Sequence, residues 1–477
     1  MRRKVDESMN VLMIICDQLS SKALRSYGNA YDQSQYMNEI IENGISYEHA
    51  YTSCPLCQPA RASLWTSKYP HQTKVLSNLP DQGFDAVSKN LTTIGDIFSQ
   101  AGYDCVHFGK RHDYGALRGF HCYEEKQVHI PNKRDDIAFD YETYFDINTL
   151  KQAVDYLQTS EKDKPFLAVV DFQNPHNICS YIGNYRKEDQ EKPLEDLPEL
   201  PPNFETTDLE NRPNFIKYMC CAHRRQSQTK SWDGDDYRYY LNAYHYFIEK
   251  VDVQVGDLLH ALESSGKMED TLIVLTADHG EGMAAHRLVT KYGCFYNESN
   301  EVPLAFFHKS LPSKKRVSGN VSLMDIVPTI TDFCGLEVPK DWEGVSLTST
   351  FEGENTSPRK YVIGQWYDEF FGYIVPGRMY LDDVYKYTVY HDQGRIEEEL
   401  FSRVDDVFEE KNLANRPKYA KTLYQYREKL EEHLHKTKDP FNRLDSSYDF
   451  KYRQHPLGYT KHEGVNATLE YERLKKS

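Results

Sequence analysis

The sequence predicts an α/β fold in which a large, mostly parallel central sheet is flanked by helices, followed by a smaller C-terminal α+β subdomain with an antiparallel sheet. Three observations carry this. The runs Val11 to Cys16, Phe166 to Phe172 and Thr271 to Thr276 are unbroken and apolar, as strands buried on both faces must be. Amphipathic helical segments alternate with them, the pattern of a doubly wound sheet. Past about residue 350 the composition turns to Ser, Thr, Gly and Asn, and shorter strand-like runs follow. We therefore expect a catalytic unit over residues 1–355 and a subdomain with antiparallel strands, a long helix and a tail over 356–477.

Val11 to Cys16 ends in Asp17-Gln18, so this strand delivers a carboxylate at its carboxyl end, where open α/β sheets place their sites. Ser34 to Asn43 reads as a helix closed by Gly44, and Ile45 to Ala50 as a strand leading into Cys54-Pro-Leu-Cys57-Gln-Pro-Ala-Arg61. A helix is expected to start at about Arg61, leaving Cys57 just ahead of its N-terminus. Leu91 to Ala101 is an amphipathic helix stopped at Gly102, Tyr103 to Phe108 a strand, and Gly109-Lys110-Arg111-His112 its exit. Asp146 to Ser160 reads as helix and Phe166 to Phe172 as strand, with Asn174-Pro175-His176 beyond it.

Arg186 to Asn214 is polar, acidic and proline-rich without a period, which predicts a long surface excursion. Tyr237 to Ser265 is a strong helix. Thr271 to Thr276 ends in Ala277-Asp278-His279-Gly280-Glu281-Gly282, Val302 to Phe307 is strand-like, and Ser322 to Phe333 passes from loop to helix near Pro328. In the C-terminal part Lys360 to Gln365, Gly372 to Pro376, Arg378 to Leu381 and Tyr385 to His391 read as strands and Arg416 to Thr437 as a helix. The tail from Lys438 to Ser477 is charged and rich in Tyr, and no internal repeat is visible.

The chain has 477 residues and a formal net charge of -16. That balance argues against nucleic acid as a partner and gives no long-range attraction for an anionic substrate, so an anion site must rely on local cations. The run behind Met1-Arg-Arg-Lys stops at Asp17, too short for a signal peptide or a membrane span, which predicts a cytoplasmic, reduced protein with no membrane partner. On that expectation the sequons at Asn90, Asn297 and Asn466 carry no sugar, and Cys16 and Cys334, among ten Cys, are buried free thiols.

The two acidic strand ends, Asp17-Gln18 and Asp278-His279, can meet across a parallel sheet and offer a divalent cation mainly oxygen ligands, which favours Ca2+ and leaves room for Mg2+ or Mn2+. Cys57 before a helix N-terminus suits a nucleophile, with backbone donors and Arg61 to hold an oxyanion. Taken alone, each Asp is as well explained by capping or a turn, and Cys54 with Cys57 by a zinc or dithiol pair, although no second suitably spaced thiol pair accompanies it.

Cys57-x-Pro59-x-Arg61, with Arg61-Ala-Ser-Leu-Trp-Thr-Ser67 behind it, resembles the maturation signature of the type I sulfatases of the alkaline phosphatase superfamily. Gly109-Lys110-Arg111-His112, Asn174-Pro175-His176, Asp278-His279 and His286-Arg-Leu-Val-Thr-Lys291 resemble further elements of that family in the same order. A weaker likeness lies at Glu399 to Asp405. The resemblance implies an alkaline-phosphatase-like fold and a maturation enzyme that oxidises Cys57 to formylglycine. It implies one divalent cation held by Asp17, Gln18, Asp278 and His279. Arg61, Lys110 and Lys291 would contact the transferred anion, His176 would act as general acid, and His112 would hold the hydrate and deprotonate it.

Gln18 departs from the family pattern, which has a second Asp there, and Asp-Gln with the Pro-Ala-Arg form resembles the phosphonate monoester hydrolase branch. The main expectation is a sulfatase acting on a small sulfated mono- or oligosaccharide, with phosphonate monoester or phosphodiester hydrolysis as the alternative and a homo-oligomer as a general expectation. Trp232, Trp366, Tyr367 and His245 are expected either in the leaving-group pocket or in packing.

Overall fold

The computed structural model describes residues 9–78, 86–123, 141–161, 164–205, 211–213, 215–216, 226–291, 294–367, 369–370, 373–392 and 395–443. Cys220, Cys221 and the tail beyond 443 lie outside the described residues. Nine strands form the main sheet in the order β4 (His121–Cys122), β3 (Asp104–Gly109), β5 (Phe166–Phe172), β1 (Asn10–Cys16), β6 (Thr271–Thr276), β8 (Leu304–Phe307), β2 (Ile45–Tyr51), β7 (Glu301–Val302), with β9 (Lys315–Ser322) also on β2. From β4 to β6 every pairing is parallel, whereas β8 runs antiparallel to both β6 and β2. The expected Val302 to Phe307 strand is split at Pro303 into β7 and β8, because proline has no N–H to continue a ladder.

Val11 to Cys16 is wholly buried, as are Phe166 to Phe172 and Thr271 to Thr276, so the apolar runs do fill the centre of the sheet. Two groups of helices flank it. The helices Tyr36–Asn43, Tyr141–Thr159 and Ile178–Asn184 pack with the long helix Gly234–Ser264, and Cys57–Thr66 packs with Ile94–Gln100 and Ile326–Phe333. Each large apolar side chain removed from water this way contributes roughly 1.5–3 kcal/mol.

The expected surface excursion is mostly exposed with short 3-10 turns, but its end turns inward. Arg212 is buried and donates to Glu399 at 3.0 Å and to the Tyr296 hydroxyl at 2.7 Å, an ion pair that fastens the excursion to the second sheet. Cys334 is half-buried rather than buried, since the helix before it ends at Phe333.

The second sheet has the order β10 (Val362–Trp366), β13 (Gly377–Leu381), β14 (Tyr385–Asp392), β15 (Arg395–Ser402), all antiparallel, and β11 (Glu369–Phe370) pairs with β12 (Tyr373–Ile374). The helix Ala420–Thr437 packs on it. The strand β10 is tied to the loop ahead of Cys57 by the Gln365 N–H donating to the Ser53 carbonyl at 2.8 Å. No helix among the described residues is long and apolar enough to cross a membrane.

Candidate active site

Four adjacent strand ends build the site. β1, β5, β6 and β3 deliver Asp17, Asp171, Asp278 and Lys110 to one edge of the parallel sheet, in register through Ile15 opposite both Asp171 and Thr276. Gly109 is required where β3 ends. Its φ is +88°, and a Cβ there would stand 2.1 Å from the Asp171 carbonyl oxygen.

The loop that leads into Cys57 is held by Thr52 Oγ1 donating to the Cys54 carbonyl at 2.9 Å and by Leu56 in extended geometry. The helix then begins at Cys57 itself and runs to Thr66, earlier than the expected start at Arg61, because Pro59 is well tolerated in a first turn. Cys57 and Arg61 are therefore one turn apart on the same helix face.

The Cys57 Sγ, buried, lies 3.2 Å from His279 Nε2 and 3.1 Å from Lys291 Nζ. Burial and the Asp17 carboxylate push the thiol up, but Lys291, Lys110 and His279 outweigh them and hold it well below the usual thiol range. The Gly280 carbonyl faces His279 Nδ1 at 2.9 Å, and a carbonyl can only accept, so Nδ1 carries a proton and Nε2 is the nitrogen that faces the sulfur.

Arg61 is fully buried and donates through Nε to Asp278 at 3.0 Å, through Nη2 to Asp17 at 2.8 Å, and through Nη1 to Asp171. Three of its five N–H donors thus meet carboxylates, which makes it a tie that orients the acids. Lys110 Nζ contacts Asp17 at 2.6 Å. Burial pushes the Asp17 carboxyl up, yet Lys110, His176, Lys291 and Arg61 together hold it well below the usual range, while burial and Asp17 raise Asp278.

His176 follows the cis Asn174-Pro175 bond, is half-buried, and is close enough to act on Asp17 electrostatically. His112 lies in the loop after β3, where the backbone turns at φ +31°, and is exposed. Trp232 is packed against Tyr185, Tyr237 and Tyr240, Trp366 lies within a buried apolar cluster, Tyr367 is buried in a neighbouring one, and His245 is buried edge-on to Tyr31. Trp232, Trp366 and Tyr367 are thereby placed in packing, while His245 also lines a cavity with Tyr31 and Lys192.

The sequence reading missed Asp171 and Glu281. Asp171 is the one acid in an otherwise apolar strand, which was the available signal. Glu281 is fully buried two residues past His279 and takes hydrogen bonds from Gln18 Nε2, the Tyr240 hydroxyl and the Thr290 N–H.

Asp17, Cys57, Asp278 and His279 offer ligand atoms that all lie within 4.8 Å of one another. The cluster suits a divalent cation for a further reason: Asp17 Oδ1 is buried without a hydrogen-bond partner, an orphaned acceptor that a cation satisfies. Gln18, whose backbone takes φ +69°, points its side-chain Oε1 at Lys291 Nζ, 2.7 Å away.

The sulfatase family profile matches residues 9–336, and a profile described as N-sulphoglucosamine sulphohydrolase, C-terminal, matches 285–436. A Delta 4,5-hexuronate-2-O-sulfatase of Bacteroides thetaiotaomicron is 37% identical over 469 residues, covering 97% of this chain and 96% of the relative. A solved structure of a 2-O GAG sulfatase superposes with a TM-score of 0.84 at 37% identity, covering 97% of this chain and all of the other. The phosphonate monoester hydrolase of Agrobacterium radiobacter reaches a TM-score of 0.73 at 22% identity, covering 90% of this chain and 96% of the other, a likeness of fold alone. With a cysteine heading a helix above a buried cluster of acids and with most of its length matched, the chain belongs to the sulfatase family and carries that family's hydrolase machinery.

Proposed function

We propose that this protein is a formylglycine-dependent sulfatase that removes a 2-O-sulfate from a small acidic sugar of the Δ4,5-unsaturated hexuronate class. The observation that carries the reading is the buried Cys57 thiol between His279 and Lys291, above Asp17 and Asp278. The sugar class is supported by the 37% identity to the hexuronate-2-O-sulfatase across nearly the whole of both chains.

In this reading the Cys57 Sγ marks the place of the matured side chain. Oxidation to formylglycine by a maturation enzyme supplies a geminal diol, one hydroxyl to attack sulfur and one to expel sulfate from the resulting ester. Asp17, Gln18, Asp278 and His279 would hold a divalent cation, Ca2+ for a mainly oxygen donor set, and that cation would supply Lewis-acid polarisation of the ester. Lys110 and Lys291, kept protonated by Asp17 despite burial, neutralise charge on the non-bridging oxygens of the ester. Arg61 fixes Asp17 and Asp278 in place. His176 protonates the departing sugar oxygen. His112 takes the proton from the remaining hydroxyl, an assignment that rests on the Gly109-Lys110-Arg111-His112 motif and requires its loop to turn the imidazole inward.

The test joins two measurements on protein produced with an active formylglycine-generating system. Peptide mass spectrometry across Cys57 should find the aldehyde, and sulfate release from 2-O-sulfated unsaturated uronides should be faster than sulfate release from 6-O-sulfated hexosamines or hydrolysis of aryl phosphonate esters. An unmodified thiol, with a control substrate protein matured in the same cells, would sink the nucleophile. Faster phosphonate turnover would overturn the ester class.

A further inference from the structure

We propose that Glu281 is a positioning residue that fixes the Gln18 amide with its carbonyl oxygen toward Lys291 and the cation centre. An amide has two ends of similar size and opposite hydrogen-bonding character, so a Gln in place of a carboxylate ligand is useful only if its oxygen faces inward. The neighbours of Gln18 decide the matter because two of them act in one direction only. Lys291 Nζ can only donate, and it meets Gln18 Oε1 at 2.7 Å. The Glu281 carboxylate accepts from Gln18 Nε2. The Cys179 thiol, 3.4 Å from Nε2 and 3.7 Å from Oε1, can serve either end and selects neither.

Glu281 is itself held. Its Oε1 accepts from the Tyr240 hydroxyl and the Thr290 N–H, leaving Oε2 for Gln18. The residue lies at 0% exposure, as does Gln18, so water cannot take over either role. The carboxylate that Gln18 removes from the first ring of ligands is thus replaced by one a single hydrogen bond further out. This inference rests on the proposed cation centre, and it adds a residue that is not itself a ligand.

The arrangement predicts what substitution does. In Glu281→Gln the donors Tyr240 and Thr290 keep the new amide oxygen where Oε1 was, so its NH2 group faces the NH2 of Gln18. Gln18 must then flip, which turns its NH2 toward the Lys291 ammonium and the cation. The double variant Gln18→Glu/Glu281→Gln repairs every contact: the amide at 281 donates to the carboxylate at 18, whose other oxygen accepts from Lys291.

The experiment is calorimetric titration of the purified protein with CaCl2 alone, in the absence of substrate, for the unsubstituted chain, Glu281→Gln and the double variant, with the melting temperature of each recorded. We expect Glu281→Gln to bind Ca2+ at least tenfold more weakly and the double variant to recover most of that loss, which a purely structural role for Glu281 would not give. Equal affinity in the unsubstituted protein and Glu281→Gln overturns the inference and leaves the cation centre standing. Failure of the double variant to recover affinity also overturns it. An unsubstituted protein that takes up no Ca2+ overturns the centre and the inference together.

Discussion

Replacing Arg61 by Met removes the guanidinium from beneath three acids while keeping an unbranched apolar stem in its place. Arg61, Asp17, Asp171 and Asp278 are all at 0% exposure, and the three bonds use Nε, Nη1 and Nη2. Each charge-assisted hydrogen bond of this kind is worth about 1.5–3 kcal/mol, but the three do not simply add. Lys110 remains 2.6 Å from Asp17, His107 Nε2 lies 3.6 Å from Asp171, and Asp278 is already shifted toward protonation. Leaving a buried charge without its partner costs about 3–5 kcal/mol. With an unfolding entropy of roughly 2 cal/mol/K per residue, a chain of this length should lose about 3–5 °C in melting temperature. The assay is differential scanning calorimetry at one fixed scan rate, at pH 5 and pH 7.5. Because the variant's uncompensated carboxyls have pKa values raised above those of the unfolded chain, its deficit should grow as pH rises. A melting temperature within 1 °C of the unsubstituted protein, or a deficit that shrinks at pH 7.5, would refute the view of Arg61 as the tie among the acids.

Three further outcomes are expected. His176→Gln should slow sulfate release from sugar esters by about 10²–10⁴-fold, the range of general acid catalysis, and aryl sulfates far less, since a phenoxide leaves without help; equal loss on both substrates in steady-state assays would remove His176 from that role. Chelation with EDTA should lower both turnover and melting temperature, and re-addition of Ca2+ at about 100 times its Kd should return about 2.7 kcal/mol of stability, read by calorimetry; an unchanged melting temperature would argue against the cation. Glu301 is buried and paired with Lys22 at 2.8 Å and with His49; burial pushes its carboxyl up, but these partners bring it down to about 2. Its stabilisation is therefore complete above about 4.5 and lost as pH falls toward 2, on the order of 3 kcal/mol in all. Acid titration of stability should lose most of that slope in Glu301→Gln, and an unchanged profile would count against the assignment.

Much of the architecture was legible because burial on both faces forces a strand to be apolar throughout. Phe166 to Phe172 and Thr271 to Thr276 could be delimited to the residue for that reason. The strands of the second sheet were located more coarsely: β15 (Arg395–Ser402), which starts exposed and carries Arg395 and three successive Glu, gave no sustained apolar signal and was not anticipated, nor was β9. The helix start at Cys57 was misplaced because no side chain caps it; Leu56 simply enters in extended geometry.

By itself the sequence determined which residue types stand at the strand exits, since Asp17, Lys110 and Asp278 each close an apolar run and a strand's end is fixed locally by where that run stops. It determined the Cys57 to Arg61 spacing too, which a helix turns into a shared face. Only the tertiary structure decided which of these ends become neighbours, because strand order is a non-local property: β1 lies between β5 and β6, and that alone brings Asp171 and Asp278 onto one guanidinium with Asp17. The same holds for the Gln18 amide, whose direction is set by Glu281 and Lys291 from more than 260 positions away in the chain, and for His112, whose motif names it but whose exposure follows from the turn of one loop.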